Sequence, residues 1–181
     1  MPALSTHRMR PPGWRWLAVG AVVVAAFVLG LVSASGSSSV STGSLSKPAP
    51  AWSGTTLSGS TLSSSDERGR WVVLNFFATW CGPCQAETPQ LVRFATSNPA
   101  SSVQLVGVIY DDPIAAVRSF AQSHHVTWPL LSDTDERISS AYGVSALPQS
   151  FVIRPNGTIA AHLYGGVTAA MLDKVVGGHQ S

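Results

Sequence analysis

The chain has 181 residues, 45% of them hydrophobic and 11% charged, which is room for one ordinary domain and an attachment. Its formal charge of +2 is unevenly spread: Arg8, Arg10 and Arg15 lie in the first fifteen residues, where no acid occurs, whereas from Pro48 onward seven cations face nine acids, a net of −2. A domain so balanced lacks the clustered basic face that binds phosphate backbones, so no nucleic-acid partner is expected.

Residues 1–15 read as a cytoplasmic n-region. From Trp16 to Val32 the sequence is apolar for 17 residues, the lower end of what crosses roughly 30 Å of hydrocarbon as a helix. With the cations on its N-terminal side only, the positive-inside rule places the following chain outside the cytoplasm, so residues 16–32 are expected to be a transmembrane signal-anchor. Val32-Ser33-Ala34 also offers small residues to a signal peptidase, and a protein secreted after cleavage near Ala34 is the alternative. Residues 33–47, rich in Ser and Gly, read as a flexible tether.

The folded domain is expected over residues 48–181. Thr55 to Leu62 predicts a small hairpin turned at Ser58-Gly59, and Ser65-Asp66-Glu67 a brief helical turn before Gly69. Trp71 to Phe77 is a nearly continuous apolar run, suiting a central strand buried on both faces. A helix follows from the Cys pair to about Thr96, then a second buried strand over Val103 to Tyr110. Asp112-Pro113 marks a helix start, with Asp112 as cap and Pro113 in the first helical position, and an end near His124. Trp128 to Leu131 predicts a short strand, Asp133 or Thr134 to Tyr142 a helix stopped by Gly143, and Gln149 to Arg154 with Thr158 to Tyr164 a hairpin turned at Pro155-Asn156-Gly157. Thr168 to Val176 closes the chain as a helix. The order predicts an α/β fold with a sheet of mixed direction flanked by helices.

Cys81 and Cys84 are the whole thiol inventory. A bridge over so short a loop stabilises little by chain entropy, so the pair reads as a redox group. Zinc normally takes four ligands and no second Cys pair exists, so no metal site is expected. At the first turn of a helix, Cys81 meets unpaired N–H groups and the positive end of the helix dipole, which favour thiolate and mark it as the attacking sulfur. Cys84, three residues on, lies on the same helix face, placed to resolve a mixed disulfide.

The surrounding residues, Trp71, Asn75, Phe77 and Trp80-Cys81-Gly82-Pro83-Cys84, with Pro89 and with Ala146-Leu147-Pro148 before a strand, resemble the thioredoxin superfamily. Pro48-Ala49-Pro50, Asn75-Phe76-Phe77-Ala78-Thr79-Trp80, Glu87-Thr88-Pro89, Val106-Gly107-Val108, Tyr142-Gly143-Val144 and Pro148-Gln149-Ser150-Phe151 bring it closest to the exported TlpA, ResA and DsbE group of cytochrome c maturation. Tyr110-Asp111-Asp112 and Trp128-Pro129-Leu130-Leu131-Ser132-Asp133 look DsbE-like. The resemblance implies a thioredoxin fold with an extra N-terminal hairpin and a thiol:disulfide oxidoreductase that needs no cofactor. It implies a cis bond at Leu147–Pro148, with Pro148 facing the sulfurs, and substrate binding at Trp80, Gly82, Pro83, Leu147 and Pro148. It further implies exported protein substrates with Cys pairs, apocytochrome c among them, reduced at the expense of a membrane electron-transfer thiol protein.

Two departures stand out. Cytoplasmic thioredoxins carry a buried Asp six residues before the first Cys, where this chain has Asn75, and Glu87 is the candidate replacement as proton acceptor because ResA-like proteins carry a functional Glu there. The other reading of Glu87 is an exposed helix carboxylate. Leu147 is bulkier than the Thr common in thioredoxins. Two functional alternatives remain at this stage: the same chemistry run backwards as a disulfide-forming oxidase, and a copper chaperone using soft thiolate ligands. His124, His125, His162 and His179 read as solvated, with His162 in an edge strand, and Trp52, Trp71 and Trp128 as packing residues.

Overall fold

The computed structural model describes residues 40–41 and 47–177. The membrane segment expected over residues 16–32, most of the tether and His179 lie outside them. Among the described residues no helix is long and apolar enough to cross a membrane.

Strands β1 (Val40–Ser41), β2 (Ser53–Thr55), β3 (Thr61–Ser63) and β4 (Trp71–Phe77) lead to helix α1 (Gly82–Ser97). Then come β5 (Val103–Ile109), α2 (Ile114–Ser123), β6 (Leu130–Ser132), α3 (Arg137–Tyr142), β7 (Gln149–Ile153), β8 (Ile159–Tyr164) and α4 (Ala169–Gly177). Six strands form one sheet in the order β1-β8-β7-β4-β5-β6, and β2 pairs with β3 beside it. Strands β4, β5 and β6 run parallel, while β7 is antiparallel to β4, β8 to β7 and β1 to β8.

The central pair is buried as its composition demands: every residue of β4 and β5 is buried. Trp71 and Val73 of β4 pack with Leu91 and Phe94 of α1 and Leu172 and Val176 of α4 on one face. Val72, Leu74 and Phe76 point the other way, to Ile138 and Tyr142 of α3 and to Phe151. A third cluster joins Phe77, Cys81, Cys84, Ile109, Val117 and Leu130. Burial pushes the Tyr142 hydroxyl well above the ordinary phenol value, and it donates to the Pro50 carbonyl at 2.9 Å.

Several boundaries differ from the sequence expectation. Pro113 is the cap of α2 and its ring has no acceptor to offer, while Asp112, the expected cap, is engaged elsewhere. The strand expected from Trp128 begins only at Leu130, while Trp128 is a partly buried side chain on the core. The brief turn expected at Ser65-Asp66-Glu67 is present, with the Arg68 N–H donating to the Ser65 carbonyl at 3.4 Å. Helix α3 starts at Arg137 because Asp133 reaches forward to it, accepting from the Ile138 N–H at 2.9 Å and the Ser139 N–H at 2.8 Å. Gly143 ends that helix in the left-handed region at φ 65°, where a Cβ would be strained.

Candidate active site

Strand β4 ends at Phe77, and three residues carry the chain to Cys81, which caps α1 from just outside its first turn. Cys81 and Cys84 are joined by a disulfide with their Cα atoms 5.2 Å apart. The Cys84 N–H points at the Cys81 Sγ at 3.2 Å, so in the reduced protein that sulfur meets a backbone donor and the helix dipole together. Pro83 lies in the first turn, where a missing N–H costs nothing. Pro89 lies inside the helix and leaves the Gln85 carbonyl without its usual donor.

The two sulfurs are not equivalent. A groove of about 450 Å³ is lined by Trp80, Cys81, Gly82 and Pro83 together with Tyr110 and residues 144–147. Cys81 opens onto it, whereas Cys84 is absent from its lining and only 1% exposed. The Leu147–Pro148 bond is cis, as the resemblance implies; Leu147 lines the groove and Pro148 is buried.

The loop before Cys81 is held from the end of β5. Trp80, 60% exposed, donates from Nε1 to the Asp111 carbonyl at 3.1 Å. The Thr79 N–H donates to the Asp112 carboxylate, and Gln85 donates to the Thr79 carbonyl at 2.7 Å. Asp112 therefore orders the pre-cysteine loop instead of capping α2, and Asp111 adopts a left-handed φ of 40° between the two contacts. Sequence alone marks Asp112 as polar and helix-leading, which is true of either role.

Glu87 is not an exposed carboxylate. It is 2% exposed, with Oε1 accepting from Asn75 Nδ2 at 2.9 Å and Oε2 from the Val167 N–H at 2.9 Å. Burial pushes its pKa up to about 7, against the opposing pull of those two donors. Asn75 also donates to Ser150 Oγ at 3.0 Å, so the Glu87 carboxyl joins α1 to β4 and to the lead into α4, and Asn75 ties β7 in behind it.

On the opposite face, His162 corrects the expectation of a solvated ring. Strand β8 is paired on both sides, with β7 and β1. The imidazole stacks on Phe151 with centroids 3.8 Å apart, packs against Tyr164 at 4.0 Å and contacts Gln149 Oε1 at 2.8 Å. Burial lowers its pKa. His124 is exposed and lies over Phe120 at 4.2 Å. Among the described residues no three His, Cys, Asp or Glu side chains group as metal ligands do.

The AhpC/TSA family model matches residues 45–162. The thiol-disulfide oxidoreductase ResA of Bacillus subtilis (strain 168) is 35% identical over 114 residues, covering 63% of this chain and 64% of that relative, a little under two thirds of its length. ResA of Bacillus anthracis is 30% identical over 129 residues, 71% of this chain and 75% of the relative. Among solved structures, a thioredoxin-family thiol:disulfide interchange protein from Chlorobium tepidum TLS superposes with a TM-score of 0.67 at 28% identity, covering 73% of this chain and 94% of that one. A secreted Mycobacterium tuberculosis disulfide oxidoreductase homologous to Escherichia coli DsbE gives 0.63 at 27% identity, covering 70% and 95%. Sheet order, cis-proline, disulfide and these likenesses agree, and the chain belongs to the AhpC/TSA family as a thioredoxin-like thiol-disulfide oxidoreductase of the ResA and DsbE kind.

Proposed function

We propose that the Cys81–Cys84 pair reduces disulfides in exported proteins. The Cys81 thiolate attacks one sulfur of the substrate disulfide, forming a mixed disulfide and releasing the other substrate sulfur as thiolate. Glu87 takes the proton of the Cys84 thiol. The Cys84 thiolate then attacks Cys81 Sγ, the Cys81–substrate bond breaks, and the second substrate sulfur leaves as thiolate to be protonated. Two electrons pass to the substrate, and the protein is left with the disulfide it carries here.

The observation that carries this reading is the unequal access of the sulfurs: Cys81 opens onto the groove that Trp80, Gly82, Pro83 and Leu147 shape, while Cys84 is sealed beneath it. An incoming disulfide meets one sulfur only, and the second is reserved for resolution. The resemblance to cytochrome c maturation proteins supports apocytochrome c, with its haem-attachment Cys pair, as a substrate, and a membrane electron-transfer thiol protein as the source of electrons. The apolar stretch over 16–32 behind three arginines supports a single-pass anchor with the domain over 48–181 on the extracytoplasmic side.

Cys84→Ser keeps the attacking thiol and removes the resolving one. Expressed as the full chain, it is expected to accumulate mixed disulfides with exported proteins bearing Cys pairs, dissolved by a small-molecule thiol. Equal trapping by Cys81→Ser, or none by either variant, would overturn the assignment.

A further inference from the structure

Gln149 is the first residue of β7, next to the cis-proline, and only 2% exposed. Its carboxamide is used at both ends. Nε2 donates to the Ala146 carbonyl at 2.9 Å, and Oε1 lies 2.8 Å from His162 Nε2. Because the amide's donor end faces a carbonyl, its oxygen must face the histidine, so His162 carries its proton on Nε2 and donates. His162 stands across from Phe151 in the strand register, not across from Gln149, and reaches its partner diagonally. Phe151 and Tyr164, stacked against the imidazole, fix the direction of that reach.

The far end of this chain of bonds is the wall of the groove. Ala146 and Leu147 both line it, and the bond from Gln149 turns the Ala146 carbonyl inward, toward β7. The next residue has no such tie: no hydrogen bond among the described residues occupies the Leu147 N–H or C=O. An extended polypeptide laid along the groove needs one free N–H and one free C=O at a set angle. Fixing the peptide plane before Leu147 sets that angle.

We infer that Gln149 and His162 are positioning residues which, by holding the Ala146 carbonyl, orient the Leu147 main chain for docking a substrate strand. The inference rests on the reading above, that the groove takes a protein disulfide. Neither residue is in the lining of the groove, so they act on substrate binding through the Ala146 carbonyl and leave sulfur chemistry alone.

The test uses full-length protein, with insulin as the protein disulfide and dithiothreitol as the electron source for turnover, and with protein reduced beforehand and freed of dithiothreitol reacting with 5,5′-dithiobis(2-nitrobenzoic acid), a small disulfide that needs no main-chain docking. His162→Phe keeps an aromatic ring between Phe151 and Tyr164 and removes only the donor. Gln149→Met keeps the length and removes both polar ends. Each is expected to raise KM for insulin by about 3- to 10-fold, the range of one neutral hydrogen bond, with kcat and the small-disulfide rate held within about two-fold. KM unmoved in both variants overturns the inference, even if thermal stability falls, and so does an equal loss on both disulfides. His162→Phe, which preserves the stack, decides the matter if Gln149→Met does not fold. A parent that reacts with the small disulfide but neither reduces insulin nor oxidises a dithiol peptide overturns the reading of the groove, and the inference with it.

Discussion

Removing a carboxyl group from water disfavours its ionised form, and Glu87 receives only two donors in return, from Asn75 and Val167, so its pKa stands near 7 instead of near 4.5. A group so placed is divided between its two forms at neutral pH, where a proton acceptor works best. Below about pH 7 it is protonated and cannot take the Cys84 proton, so resolution is expected to speed up as pH rises through that value. Glu87→Gln keeps the volume and cannot ionise. It is expected to slow resolution by about 10- to 100-fold at pH 7.5 and to remove the inflection near 7, read from stopped-flow Trp fluorescence of the reduced protein mixed with a peptide disulfide. An unchanged pH–rate profile would remove Glu87 from the mechanism. Asn75 is legible in sequence only as a missing acid. Its use, to hold Glu87 and Ser150 at once, depends on strands β4 and β7 being neighbours.

The long elements were readable because each is punctuated. The apolar runs of β4 and β5 are bounded by charged or turn residues, α1 opens on Cys-Gly-Pro, and Pro155-Asn156-Gly157 sets β7 against β8. The short elements were less so, because six residues cannot sustain a helix on their own and tertiary partners decide where it starts. Helix α3 is the instance: Glu136 stands in the left-handed region at φ 53°, and Asp133, 1% exposed, reaches past it to two backbone N–H groups and the Ser139 hydroxyl. Replacing Asp133 by Ala leaves those donors buried and unmet. The cost is expected to be about 2–3 kcal/mol in urea unfolding, and less than about 0.5 kcal/mol would show that α3 needs no cap. Since α3 leads directly into residues 144–147, its fraying would also loosen one side of the groove.

For the whole molecule, the fold class followed from the alternation of strands and helices, and the Cys pair from its position between β4 and α1. Side-chain relationships that cross the sheet did not follow. Asp112 beside Thr79 and His162 beside Gln149 are set by register and by which strand lies next to which, and no local pattern records either. The direction of electron flow is likewise a property of the assembled site. Related folds span about −270 mV in thioredoxin to about −120 mV in DsbA, roughly 7 kcal/mol for a two-electron couple. With Gly82-Pro83 between the sulfurs and a Cys84 thiolate that must form in a buried site, the full chain is expected to equilibrate with glutathione or dithiothreitol nearer the thioredoxin value. A potential near that of DsbA would turn the reductant into an oxidant.

Ser150 and Gln149 are adjacent in sequence, yet strand alternation sends them to opposite faces of the sheet, one toward Asn75 and Glu87, the other toward His162 and Ala146. If Glu87 moves the proton and Gln149 sets the docking angle as proposed, proton handling and docking hang from consecutive residues of one strand with a layer of backbone between them. Such an arrangement lets a lineage change its clientele at one position without retuning acidity at the next, so broad substrate diversity can accumulate on an unaltered chemical step.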